Sequence, residues 1–264
     1  MDFFEEYFTG YFERTPEGFM SWQHLTSVTI AVIIAVTLAI WLSRKNRKRD
    51  FMAKLKVVKV AAILIDGFEL TKLILFAAME ENLRVLLSYL PLFLCSIPLI
   101  VLPVAAFSRG RVQKASLDFM VLFGMIAAVL GTYMAANIYS VFPVLHFQPV
   151  VSLITHMISG FAGLYILLSG LATFEKKNSG ITIAILGAFM ATAAIVNVLN
   201  RQIGAQSNYM FLSSADGTPF VILENIFGTR TWGYGLSVAL VMWVYMLAVI
   251  LIVNLARRNK ARKA

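Results

Sequence analysis

The chain has 264 residues, of which 59% are hydrophobic and only 14% charged, against roughly 25% charged in an ordinary soluble domain. No soluble core hides that much apolar surface, so lipid is the natural solvent and a single membrane domain over residues 1–264 the natural unit. The net charge of +9 would raise nucleic-acid binding in a soluble protein. Here the basic residues cluster between apolar runs and at the C-terminus, where orientation and anionic lipid headgroups account for them and no nucleic-acid partner is expected.

In chain order, residues 1–19 place Phe3, Phe4, Tyr7, Phe8, Tyr11 and Phe12 at helical spacing between Glu5, Glu6 and Glu13. That pattern predicts a short interfacial helix, an aromatic anchor or a lid over a lipid site. Without a basic stretch it does not read as a cleavable signal peptide. At about 20 apolar residues per crossing, seven segments qualify as spans: roughly 24–43, 57–79, 85–107, 117–139, 150–173, 181–200 and 234–256. The expectation is an all-α integral membrane protein, a seven-transmembrane helix bundle.

The loops set its orientation. Arg44, Lys45, Arg47, Lys48, Arg49, Lys54, Lys56 and Lys59 follow the first span, Arg109, Arg111 and Lys114 the third, Lys176 and Lys177 the fifth, and Arg257, Arg258, Lys260, Arg262 and Lys263 the last. With seven spans all four groups share one side. Asp2, Glu5, Glu6, Glu13, Glu17, Glu80, Glu81, Asp216 and Glu224 share the other. The positive-inside rule then puts the N-terminus outside and the C-terminus in the cytoplasm, as a multi-pass protein of the cell membrane, in all expectation a bacterial plasma membrane.

Ionisable groups within spans are costly unless paired or wetted. Asp66, Glu69 and Lys72 stand three residues apart on one stripe of the second span. Glu69 can pair with Lys72, either as a structural bond between helices or as the wall of a polar, proton-handling cavity. The third span holds Pro91, Pro98 and Pro103, each a helix-breaking element. Cys95, the only cysteine, lies one turn inside a helix that begins at Pro91, or at mid-membrane in one that begins near Val85. It is a small apolar filler or a nucleophile. The fourth span carries Thr132, Tyr133 and Asn137, the fifth Ser152, Thr155, His156 and Ser159, and the sixth ends in Asn197, Asn200, Arg201 and Gln202. All fall in the outer halves of their helices, which predicts a shared polar pocket, although interhelical hydrogen bonds explain part of the set. His156 could serve Cys95 as a base. His24 and His146 lie at membrane borders. No metal-ligand cluster, nucleotide motif or cofactor signature occurs, and the last span has no lysine for a retinal Schiff base.

The run Leu90-Pro91-Leu92-Phe93-Leu94-Cys95-Ser96 resembles the LPLHLC signature of YwaF-like bacterial integral membrane proteins. Residues 147–160, FQPVVSLITHMISG, resemble their F-x-x-H-G fifth span, and residues 197–212, NVLNRQIGAQSNYMFL, resemble N-x-x-x-G-x-NYMFL. The resemblance runs from His24 through the last span. It implies kinship with the transmembrane protein 164 group, regarded as cysteine-dependent lipid acyltransferases. On that likeness Cys95 would accept the acyl group, His156 would be its base, and Asn208 and Tyr209 would belong to an outer loop closing the site. The family His before Leu-Cys is Phe93 here.

The leading expectation is therefore a membrane-embedded lipid acyltransferase or lipid-remodelling enzyme acting on phospholipid. Tyr133, Asn137 or Asn197 are its candidate oxyanion donors, and Asn200, Asp66, Glu69 and Lys72 further site residues. The rival is a non-catalytic lipid-binding or proton-coupled transport protein, motivated by Phe93 and by the charges in the second span.

Overall fold

The computed structural model describes residues 7–8, 14–79, 89–204 and 207–263, the last eight of these as backbone only. The interfacial helix expected over 1–19 falls mostly outside these residues. Of its rings, Phe8 packs at a tilt against Phe147, with centroids 5.1 Å apart.

Among the described residues the chain is helical, without strands. Helix α1 spans Trp22–Asn46 and α2 Phe51–Met79. After α3 (Pro98–Phe107) come α4 (Gly110–Phe119), a π-helical turn (Met120–Gly124) and α5 (Met125–Tyr133). Short α6 (Ala136–Tyr139) leads into α7 (Phe147–Ser169) and α8 (Lys176–Gln202). A 3₁₀ turn (Tyr209–Phe211), α9 (Val221–Phe227) and α10 (Trp232–Lys263) complete the chain. Among the described residues, five helical segments are long and apolar enough to cross a membrane: Trp22–Asn46, Gly110–Tyr139, Phe147–Ser169, Lys176–Gln202 and Trp232–Leu255. Helix α2 matches them in length but carries Asp66, Glu69 and Lys72 in its second half.

The segment expected as a single span over 85–107 departs from that reading. Residues 89–97 form bends and turns, and helix begins only at Pro98, which occupies the first helical turn. Proline suits that start: it has no backbone N–H to donate, and in the first helical turn that donor has no partner within the helix. The turn is held locally, with the Ser96 hydroxyl donating to the Phe93 carbonyl at 3.1 Å and Ile97 N donating to the same oxygen at 3.0 Å.

The outward faces are apolar, with Ile33 of α1 59% exposed and Leu240 of α10 63% exposed, as a lipid-solvated bundle requires. Helix α7 is central, packed against α1, α2, α5 and the π turn. Glycine permits this. A β-carbon on Gly163 would sit 2.7 Å from the Met120 carbonyl oxygen, and one on Gly160 would meet Ala128 at 2.9 Å. Small residues let membrane helices approach backbone to backbone. The π turn frees carbonyls that the bundle then satisfies: the Tyr245 hydroxyl donates to Leu122 O at 2.7 Å and the Ser159 hydroxyl to Gly124 O at 3.3 Å.

The basic turns converge on one end. Asn46 donates to the Tyr165 hydroxyl at 3.1 Å, which donates to Lys54 O at 3.2 Å. Lys114 pairs with Glu175 at 3.3 Å, and Arg111 donates to the Lys177 carbonyl. The hydrogen-bonding Lys177 and then Lys114 hold the Glu175 carboxyl below the usual carboxylate range. At the same end buried Asp118 accepts from Thr173 N and Phe174 N at 2.8 and 3.0 Å, fixing the turn where Phe174 takes a φ of 46°. Acidic residues lie at the opposite end, where Glu17 accepts from Val144 N at 2.8 Å and Glu224 from Ala215 N at 3.1 Å.

Removing the hydroxyl in Tyr245→Phe is expected to cost about 1 to 2 kcal/mol by stranding the Leu122 carbonyl. Gly163→Leu, which must separate α7 from the π turn, is expected to cost more. Falls in Tm of the detergent-purified protein measure both, and a Tm unchanged in the two variants would contradict this packing.

Candidate functional site

The residues with the most chemistry meet at the end opposite the basic turns. Four elements contribute: the second half of α2, the turn over 89–97, α5 and α7. On α7, the His156 ring lies one turn below Ser152 and its Nδ1 contacts the Ser152 carbonyl at 2.6 Å. A carbonyl only accepts, so this bond puts the proton on Nδ1 and leaves Nε2 with its lone pair. Nε2 is buried without a hydrogen-bond partner among the described residues.

That nitrogen faces Gly131 of α5, and Cys95 faces the same glycine. A β-carbon on Gly131 would be 2.6 Å from His156 Cδ2 and 3.2 Å from Cys95 Cβ, and nearest of all to Nε2. The imidazole edge and the Cys95 β-carbon therefore lie at most roughly 6 Å apart, a gap that rotamer change or a bound substrate can close. Cys95 is a free, half-buried thiol.

Lys72 and Glu69 complete the neighbourhood. Their ion pair is 2.6 Å long, with Lys72 only 7% exposed. The ammonium also sits 5.8 Å from the Tyr89 ring centroid. Its charge acts on both Cys95 and His156, and that of Glu69 on Cys95. The pair expected from the three-residue spacing thus forms, beside the thiol. Asp66 is half-buried on the same helix, one turn further from this end.

The other expected residues go elsewhere. The Tyr133 hydroxyl bonds Thr29 of α1 at 2.9 Å, and Asn137 is exposed on α6. Thr155 and Ser159 bond the carbonyls of Ser152 and Gly124. Asn197 and Asn200 hold the segment after α8. The Asn197 amide donates to Tyr209 O at 3.0 Å while its oxygen accepts from Tyr209 N at 2.8 Å. Ser207 donates to Asn197 at 3.1 Å and accepts from Asn200 at 3.0 Å. Asn208 braces its own loop, receiving Ser213 N at 2.9 Å and donating to Ser214 O at 2.8 Å.

The loop nevertheless reaches the cysteine turn. The Tyr209 hydroxyl accepts from Leu90 N at 3.1 Å, and the Phe93 ring packs at a tilt against Tyr209 and Phe211, with centroids 5.0 and 5.6 Å apart. Phe93 therefore packs the 89–97 turn against the loop. Met210 and Phe211 take φ values of 57° and 56°, a left-handed conformation that costs bulky residues about 1 to 3 kcal/mol each and that the Asn197 bracket offsets. Of the two border histidines, buried His24 contacts Thr132 O at 3.0 Å and accepts from Met20 N at 3.2 Å. His146 caps α7 by accepting from Gln148 N at 3.2 Å. Neither reaches Cys95.

Gly131 and Tyr89 belong to the site and were not singled out from the sequence. For Gly131 the available signal was a small residue between apolar helices. Among the described residues no group of three His, Cys, Asp or Glu could hold a metal ion.

A model described as the TMEM164 family matches residues 19–252, which contain every residue of this site. No curated protein and no solved structure matches the chain. The several apolar helices and the family match together indicate a multi-pass membrane protein.

Asn197→Leu removes both ends of the bracket on Tyr209 from a buried position. The variant is expected to lose about 2 kcal/mol or more. Hydrogen exchange should rise first at residues 209–212; a uniform rise along α8 and α10 instead would show that Asn197 supports the bundle and not the loop.

Proposed function

The chain belongs to the TMEM164 family, and from that membership and the approach of His156 to Cys95 across Gly131 we propose a membrane-embedded lipid acyltransferase with Cys95 as nucleophile and His156 as base. The observation that carries the reading is the Nε2 atom, without a partner among the described residues, buried and turned toward the glycine that Cys95 also touches.

In the proposed reaction, Nε2 takes the thiol proton and the Cys95 sulfur attacks the carbonyl carbon of a phospholipid ester. The tetrahedral intermediate collapses with cleavage of the ester C–O bond. The departing alkoxide takes the proton back from Nε2 and leaves as a lysophospholipid, with the acyl group on sulfur as a thioester. A hydroxyl of an acceptor lipid then gives its proton to Nε2 and attacks the thioester, and the expelled thiolate recovers that proton. The Ser152 carbonyl fixes the ring and favours the imidazolium that forms in each half-reaction. Lys72, held by Glu69, is a described cation whose charge reaches Cys95, and it would supply charge opposite the oxyanion. One such buried contact is worth about 3 kcal/mol of barrier. Tyr133, Asn137 and Asn197 have their own partners or face outward, so Lys72 takes the role first expected of them.

In this proposal the bundle crosses the membrane seven times, with the turn over 89–97 and α3 together forming the third crossing. The N-terminus is outside, the C-terminus is cytoplasmic, and the Cys95 site opens toward the outer leaflet of the cell membrane. The convergence of the basic turns supports that orientation.

A second reading, a proton-coupled transport or lipid-binding protein, is favoured by the buried Glu69–Lys72 pair with Asp66 on the same helix. Flux across proteoliposomes that disappears in the Asp66→Asn/Glu69→Gln variant would support it.

Purified protein given phospholipid labelled in its acyl chain should accumulate label on Cys95 as a hydroxylamine-sensitive thioester. Cys95→Ala should abolish label and turnover, and His156→Ala should slow turnover by at least about 100-fold. Normal turnover by Cys95→Ala would end the proposal. Tags at the two chain ends should be accessible from opposite compartments.

A further inference from the structure

A groove of about 550 Å³ runs along the outside of the bundle between α1, α2 and α7. It exists because small side chains, Ala31 and Ala35 on α1 and Ala61 on α2, face the larger Leu153 and Phe161 of α7 across it. Its volume is that of a small-molecule pocket. From Ala31 to Leu42 the wall of α1 rises about 16 Å, room for most of one extended acyl chain. Among the described residues Lys56 is the one charged residue lining the groove, and it lies at the end that carries the basic turns.

That end has strong positive charge. Residues 44–59 hold eight Lys and Arg residues against the single carboxylate of Asp50. Lys45 lies over the Trp41 ring at 5.0 Å, and Lys59 over the Phe107 ring at 5.7 Å, so both ammonium groups are engaged at aromatic faces flanking this end. Lys56 takes part in no ion pair among the described residues. An apolar channel that ends in a free ammonium matches a molecule with a long hydrocarbon chain and an anionic head. A zwitterionic lipid would fill the channel equally well, but the cation of its own headgroup offsets the phosphate charge that Lys56 meets.

We infer that this groove seats an anionic phospholipid, with one acyl chain along α1, α2 and α7 and the phosphate at Lys56. The seat is separate from the Cys95 site. His156 faces α5 across Gly131, whereas Leu153, Met157 and Phe161 turn the other face of α7 to the groove. The bound lipid closes a seam in the bundle and helps hold α1 against α7.

The test uses the full chain in detergent, delipidated and then titrated with dioleoyl phosphatidylglycerol or dioleoyl phosphatidylcholine, with bound lipid counted by native mass spectrometry. Phosphatidylglycerol should bind about fivefold more tightly, the preference one lysine confers at a membrane surface. Lys56→Gln should remove that preference, while Lys48→Gln, equal in charge but away from the groove, should leave it. Ala35→Phe/Ala61→Phe should cut binding of both lipids severalfold. Equal binding of the two lipids by the unaltered chain would overturn the inference. A preference that survives Lys56→Gln, or that falls as far in Lys48→Gln, would also overturn it. Lys56 is exposed, so this comparison decides the matter even where the groove-filling variant does not fold.

Discussion

A cysteine and a histidine on different elements can share a substrate only where no side chain stands between them. At the contact of α5 with α7 that condition is met by Gly131, whose missing β-carbon leaves the space in which Cys95 and the free edge of His156 face each other. The same close approach continues along α7 at Gly160 and Gly163, which rest on Ala128 and on the Met120 carbonyl. In a bundle solvated by lipid there is no hydrophobic gain in bringing two apolar helices together, so contact depends on fit and on satisfied polar groups. The glycines supply the fit. The site therefore exists because the bundle packs at backbone distance, and its geometry is inherited from that packing.

Satisfaction of polar groups sorts the remaining hydrophilic residues. A backbone or side-chain dipole left unpaired in hydrocarbon costs several kcal/mol, so each tends to be claimed by its nearest partner. Tyr245 and Ser159 close the carbonyls opened by the π turn, Asn197 brackets Tyr209, and Asp118 collects two amides of the α7–α8 turn. His156 Nε2 is one of a few buried polar atoms without such a partner among the described residues, and the one turned toward the glycine that Cys95 also faces.

The long apolar segments were legible because hydrocarbon thickness fixes their length, and the limits of α1, α7, α8 and α10 lie within a few residues of the expected spans except at the extended end of α10. The three prolines around Cys95 announced a distortion, yet the third span was still expected as one helix, because apolar composition alone does not distinguish a helix from a well-packed turn. The Glu69–Lys72 pair was legible from spacing on a single helix. The shared polar pocket was not. Residue number gives height along a helix, but which neighbour a side chain faces depends on how helices rotate against one another. Tyr133 turns to α1 and Asn197 to the 207–212 segment, while His156 turns to Gly131, though all lie at similar height. The motif around Asn208 and Tyr209 pointed to the right loop without separating their roles: Tyr209 contacts the cysteine turn, and Asn208 shapes the loop itself.

The wide turn at Met120–Gly124 acts as a phase shifter. A π turn houses one residue more than the α-helix it interrupts, and each residue of an α-helix advances the azimuth by about 100°. Everything beyond it on the rod is thereby rotated relative to α4. The lower half keeps Asp118 pointed at the α7–α8 turn, and the upper half is brought round so that Gly131 confronts α7. Deleting a single residue there would leave composition and hydropathy almost untouched. It would also swing a bulkier neighbour into the gap between Cys95 and His156, from two helical turns away.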